Sequence, residues 1–193
     1  FKVNTVFENI DKGMYDYSDS SELIENLVLA ILRRKRCIVK YQSPQAAKSN
    51  SYPIEPKKIV QYNGALYVDV YQRDHNNFIS LALHRIQALK VLEESVSKNP
   101  KYDSSRVRRG KFGLFSVEKI ESIELKFSQG IAYHIENRHW NDSQEISYDE
   151  EGNLILRMEI GVTPELVSWI LGWGKHCKII QPPNLSQKLD QYY

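Results

Sequence analysis

The sequence is poor in cysteine, in long apolar runs and in the short motifs that announce catalysis, and each shortage closes off a class of function. Its two cysteines, Cys37 and Cys177, lie far apart beside apolar or β-branched residues. They predict buried, reduced thiols in a cytoplasmic protein rather than a disulfide, and two distant thiols cannot make a zinc ribbon. The longest apolar run is Leu27–Leu32, far short of the ~20 residues that a membrane-spanning helix needs, so no membrane partner is expected. The chain opens on Phe1-Lys-Val with neither Met nor an apolar stretch; this offers no secretion signal and predicts a piece of something longer. No Gly-x-Ser-x-Gly elbow, Walker loop or His-Glu-x-x-His occurs, and Gly172-Trp-Gly174-Lys175 reads as a helix end rather than a phosphate loop. His134 and His139 are off the helical spacing of a metal pair. The expectation is a protein that is not an enzyme and holds no metal or cofactor.

What is present is the composition of a folded domain. With 193 residues, 41% of them apolar and 26% charged, the chain can hold one large domain or two small ones. A net charge of +2 implies no nucleic-acid partner by itself. Basic residues nevertheless cluster at Arg33–Arg36 and at Arg106–Lys111. The first cluster follows a predicted helix, where it suits the helix dipole as well as it would suit a ligand. A duplex-DNA surface built from both clusters would show a steep salt dependence.

Residues 1–20 mix apolar, acidic and Tyr residues without a period and read as a lead-in. Ser20 or Ser21 then caps a helix whose apolar face is Ile24, Leu27, Val28 and Ile31. Cys37–Tyr41 is a first strand. Pro53 and Pro56 allow an edge strand or a strand start but not a central ladder. Asn63-Gly64 is a strong turn signal before the run Ala65–Tyr71. In that run alternation places Leu66, Val68 and Val70 on one face and Tyr67, Asp69 and Tyr71 on the other. In Phe78–Ile86 the apolar residues cannot share one face, which predicts a bulge or burial on both sides. Residues 88–97 read as a strand end or a short helix. A helix followed by about five short strands predicts a small SH3- or Sm-like barrel over 21–97. A polar linker follows at 98–111. Residues 112–193 show the order βαββαβ of a ferredoxin-like sandwich, with Thr163 capping a helix that has Pro164 at its first position. The fold class is α+β.

Leu66-Tyr67-Val68 is flanked by Tyr41, by Ile54-Glu55-Pro56 and by Leu83-His84-Arg85-Ile86. Downstream come Phe112-Gly-Leu-Phe115, Arg138-His-Trp140 with Ser143-Gln144, the Gly152 turn, Leu166 with Trp169, and Ile179-Ile180-Gln-Pro182 with Leu185. Taken in order, these resemble the WYL-domain bacterial transcriptional regulators with their C-terminal WCX extension. Leu66-Tyr67-Val68 stands where the family has Trp-Tyr-Leu. The resemblance implies a barrel that binds an anionic ligand such as a nucleotide, an oligonucleotide or single-stranded nucleic acid. It also implies an extension that helps form homodimers, and a winged helix-turn-helix, absent from this sequence, that would contact operator DNA. The chain departs from relatives at Tyr52, Ile79 and Ala82, where they often carry Arg. Those departures motivate the alternative of a structural dimerisation module.

Arg85 is the first candidate for the ligand, because its planar fork suits phosphate or carboxylate; the competing role is an ion pair with Glu55 or Asp69. Tyr67 is placed to stack on a base or to fill the barrel. His84, Tyr41, Lys40 and Arg73 are further ligand candidates. Arg138, with His139, would reach a ligand or a partner subunit, or form a surface ion pair. Trp140, Trp169 and Trp173 are expected in a core or a dimer contact.

Overall fold

One apolar stripe decides how the first helix, α1 (Ser21–Leu32), lies against the sheet beneath it. Leu27 and Ala30 are fully buried, with Leu23 and Ile24 packed beside them. Val28, expected on that face, is exposed; Leu23, Leu27 and Ala30 already fill the helical spacing that meets the sheet. Ser20 occupies the cap position without a capping bond, and the Ser21 hydroxyl instead donates to the Ser18 carbonyl at 3.2 Å. The computed structural model describes residues 13–44, 46–96, 103, 110–114 and 119–189. Two compact units divide between Tyr102 and Asp103. Phe115, Arg106–Arg109 of the second basic cluster and most of the expected linker lie outside the described residues.

In the first unit the strands are β1 (Lys35–Tyr41), β2 (Asn50–Tyr62), β3 (Ala65–Gln72), β4 (Asn77–Ala82) and β5 (Ile86–Ser95). They form an antiparallel sheet in the order β4-β3-β2-β1-β5. β4 and β5 each pair on one side, so among the described residues the hydrogen-bond ladder stays open. The closed barrel expected from the strand spacing is not formed by it. Residues 86–95 are strand, not helix.

The prolines prove compatible with a central position, against expectation. Residues 50–54 register with β1 and residues 55–62 with β3. Each half of β2 therefore behaves as an edge, where a missing N–H costs no ladder bond. A register shift between Pro56 and Lys58 eases the second proline. The turn to β3 follows the Asn-Gly signal: Asn63 and Gly64 have φ of +47° and +70°, as a tight hairpin turn requires.

The apolar run Phe78–Ile86 is not one strand. β4 ends at Ala82, a 3-10 turn covers Leu83–Arg85, and β5 starts at Ile86. The break lets Leu81, Ala82 and Leu83 be buried in succession, at 3%, 5% and 1% exposure. One face of β3 and β4 presents Leu66, Val68, Val70, Ile79 and Leu81 to the core under α1, and Leu83 joins them from the turn. The other face pairs Tyr71 with Phe78, Asp69 with Ser80 and Tyr67 with Ala82.

The second unit contains β6 (Glu121–Phe127), α2 (Ala132–Glu136), β7 (Glu145–Tyr148), β8 (Leu154–Ile160), α3 (Pro164–Gly172), β9 (Cys177–Gln181) and α4 (Pro183–Leu189). Its antiparallel sheet has the order β7-β8-β6-β9. Ile123, Leu125 and Phe127 of β6 and Leu154, Leu156, Met158 and Ile160 of β8 all point to one core with Ile135, Leu166 and Ile170. Each fully buried side chain of this kind stabilises by roughly 1.5–3 kcal/mol. The opposite face is polar, with Arg157 Nε donating to Glu124 Oε2 at 2.7 Å across the β6–β8 pair. Thr163 caps α3 as its sequence predicts, its Oγ1 accepting from Leu166 N–H at 3.2 Å, and Pro164 opens the helix. Trp169 sits among Phe112, Trp140 and Phe127 at ring distances of 4.8, 4.6 and 5.6 Å. The three tryptophans thus all pack on the second core.

Candidate functional site

The short turn Leu83–Arg85 is held at both ends by the fold. Leu83 is buried in the first core. The Arg85 carbonyl accepts the backbone N–H of Gln42 at 3.0 Å, just past the end of β1. Between these anchors His84 and Arg85 are half-buried side by side. Arg85 Nε donates to His84 Nε2 at 3.3 Å, so the imidazole is neutral with its proton on Nδ1. That Nδ1 is buried without a partner. Burial, and then the neighbouring Arg85 cation, hold the His84 pKa below its usual value. Among the described residues no carboxylate pairs with Arg85.

The two carboxylates considered for that role are taken elsewhere. Glu55, 1% exposed, accepts from Arg73 Nη2 at 2.9 Å and from Lys57 Nζ at 3.2 Å. Asp69, fully buried, accepts from the Ser80 hydroxyl at 2.5 Å. Arg73 is thereby committed to a buried acid in the turn after β3.

Tyr41 is brought to the His84–Arg85 turn. It pairs in register with Ile86, and its hydroxyl accepts the Ala82 N–H at 3.4 Å. Burial first, and the neighbouring Tyr41 second, push the Tyr52 phenol up to about 12. Tyr67 lies opposite Ala82 in the β3–β4 ladder, on the face away from the first core, with Tyr62 edge-on at 6.4 Å. Lys40 is not brought to the turn: alternation along β1 puts Cys37, Val39 and Tyr41 inward and leaves Lys40 exposed with Ile38. Arg138 belongs to the second unit, where it is exposed and lies 5.7 Å from the Trp140 ring. His139 pairs with Asp142 at 3.0 Å. In the first basic cluster, Arg36 and Lys35 pair across to Glu94 and Glu93 at 2.7 and 3.5 Å. Both cysteines are free thiols, pushed up to about 11 and about 12 by burial. Among the described residues no group of His, Cys, Asp or Glu is arranged to hold a metal.

One residue at the turn carries no signal in the sequence. The ring of Tyr15, in the lead-in, lies parallel to the His84 imidazole at 3.9 Å and 8°. Its backbone N–H donates to the Gly64 carbonyl at 3.1 Å, and the neighbouring Tyr17 hydroxyl accepts the Leu66 N–H at 2.8 Å. Gly64 is needed here twice: its φ is positive, and a Cβ on it would stand 2.2 Å from the Gly13 carbonyl oxygen. Nothing in the spacing of Tyr15 and Tyr17 connects them to the Asn63-Gly64 turn, or to His84 further along still.

Comparison with known proteins gives two family matches. The model of the WYL domain matches residues 22–91 and that of the WCX domain residues 119–192. Among solved structures, proteasome accessory factor B/C (PafBC) of Arthrobacter aurescens aligns with 94% of this chain and 29% of its own, at 16% identity and a TM-score of 0.43. A CRISPR Cas-related protein aligns with 92% of this chain and 51% of its own, at 12% identity and a TM-score of 0.58. This chain therefore spans about half or less of the length of these neighbours. No curated protein matches it.

Proposed function

We propose, for a chain that belongs to the WYL family and carries a WCX domain behind its WYL domain, that the first domain receives an anionic ligand and the second couples two copies. The chain would be the sensing and dimerisation part of a cytoplasmic transcriptional regulator, acting on operator DNA through a helix-turn-helix domain elsewhere in the protein. It would work by binding rather than catalysis. The first unit is then an Sm-like plan left open between β4 and β5, supported by its helix followed by five antiparallel strands. The second is a ferredoxin-like sandwich, supported by its order β7-β8-β6-β9.

The observation that carries the reading is the state of Arg85. Its fork is fixed at one end by the neutral imidazole of His84, and no described carboxylate neutralises it. A half-buried cation beside tyrosines is suited to phosphate, and the ligand expected is nucleotide-like: a nucleotide, an oligonucleotide or single-stranded nucleic acid. Fluorescence titration with short single-stranded DNA and with linear and cyclic oligonucleotides tests it. Saturable binding that Arg85→Ala abolishes is the expected result, and binding indifferent to that substitution removes the claim.

A second reading rests on Ile79 and Ala82. Ile79 packs on the first core and Ala82 is 5% exposed, so positions often basic in relatives here serve packing. The chain would then be an assembly module without a ligand. Sedimentation showing a stable dimer whose association no oligonucleotide alters would favour it.

A further inference from the structure

We propose that the ring of Tyr15 occupies the place where a planar ring of the ligand stacks on His84, so that binding displaces the lead-in strap 13–17. This rests on the reading of Arg85 as the anion contact and adds to it an internal competitor for the ligand's ring. An aromatic ring and an anionic group must be joined at short range, as in a nucleotide.

Three observations converge on it. The Tyr15 ring has the geometry of a stacked base, parallel to the imidazole at 3.9 Å, and it is 51% exposed, so it is held mainly from one side. The stacked imidazole accepts directly from Arg85 Nε at 3.3 Å, which leaves the rest of a planar, permanently charged guanidinium beside the ring to meet an anion. The strap's hydrogen bonds are few and none is part of a sheet: Tyr15 N–H to the Gly64 carbonyl at 3.1 Å, beside the close approach of Gly13 to Gly64, and the Tyr17 hydroxyl on Leu66 at 2.8 Å, with the Tyr17 ring packed on the first core at the strap's far end. Those bonds can be exchanged for water when the strap lifts. On the imidazole face that Tyr15 covers, a ligand ring and the Tyr15 ring exclude each other, so the ligand's arrival there is transmitted to the segment that enters α1.

The test is fluorescence anisotropy of a labelled short single-stranded DNA with the wild type, Tyr15→Ala, Tyr15→Phe, Gly64→Ala and Arg85→Ala, thermal unfolding serving to verify that each is folded. Losing an internal aromatic stack should tighten binding by about fivefold in Tyr15→Ala. Gly64→Ala, which unseats the strap but leaves the ring, should shift binding in the same direction. Tyr15→Phe keeps the stack and should bind as the wild type does. DNA binding to Tyr15→Ala but not to the wild type would also support the inference. Weaker or unchanged binding by Tyr15→Ala overturns it, while the Arg85 reading stands if Arg85→Ala still abolishes binding. No binding by any variant, Tyr15→Ala included, overturns both.

Discussion

Strand β8 of the second unit buries Leu154, Leu156, Met158 and Ile160 and leaves Ile155, Arg157 and Glu159 outside that core. Strand β3 of the first unit buries Val68, Asp69, Val70 and Tyr71 in succession. The first pattern is that of a sheet with one dry face, where each inward residue contributes area and each outward one is free to pair, as Arg157 does with Glu124. The second is a sheet covered on both faces, and its second face holds carboxylates that must be satisfied one by one. Glu55 and Asp69 are, by Arg73, Lys57 and Ser80. Arg85 is a cation that this arrangement leaves without an acid among the described residues. The second unit thus spends its residues on packing, while the first keeps polar groups whose partners are unevenly supplied. Uneven supply of that kind is where a ligand site is expected.

The difference can be broken at its strongest point first. Phe127→Ala removes a fully buried ring beside Trp169 and Trp173 and should cost about 3–5 kcal/mol. All three tryptophans lie in the second unit, so denaturant unfolding followed by tryptophan emission should show the loss there. In the first unit Glu55→Ala should cost about 2 kcal/mol. It strips the acid from Lys57 and Arg73, but Arg73 is half exposed and water recovers part of the loss. Circular dichroism should register that shift while the tryptophan-detected midpoint holds. A shift in both signals would show that the two units unfold as one.

Arg85→Ala should change stability by less than about 0.5 kcal/mol, the range of a substitution that breaks no ion pair or core contact. A loss well above that in chemical denaturation would mean that the cation serves the fold. The smallest effect expected is one of pH. The His84 pKa is depressed in the folded state by burial and by Arg85, so below about pH 6.5 the unfolded chain binds the proton more readily. Stability contributed by the neutral imidazole is therefore present at higher pH and is lost as pH falls through that value. Denaturation between about pH 8 and about pH 5.5 should show a steeper acid loss in the wild type than in His84→Gln.

Much of this was legible in the sequence because it depends on neighbours along the chain. The Asn63-Gly64 turn, the Thr163-Pro164 helix start and the alternation of β6 follow from local backbone preference and periodicity. The prolines misled for an equally physical reason. Their missing N–H forbids a residue paired on both sides, but β2 pairs on one side at a time. Val28 misled because four apolar positions fit a helical stripe and the sheet accepted a neighbouring set. At the candidate site the sequence marked Arg85, His84 and Tyr41, which the fold gathers at one turn, and also Lys40, which strand alternation turns outward, and Arg73, which a buried acid claims.

By itself, then, the sequence determined the Asn63-Gly64 turn, the Thr163-Pro164 helix start and the alternation of β6, since each is written in residues a few positions apart. The tertiary structure alone decided that Glu55 and Asp69 would be satisfied by others, and that Tyr15 would lie on His84. Ion pairs and ring stacks form between groups within a few ångströms in space, and their distance in the chain carries no trace of that.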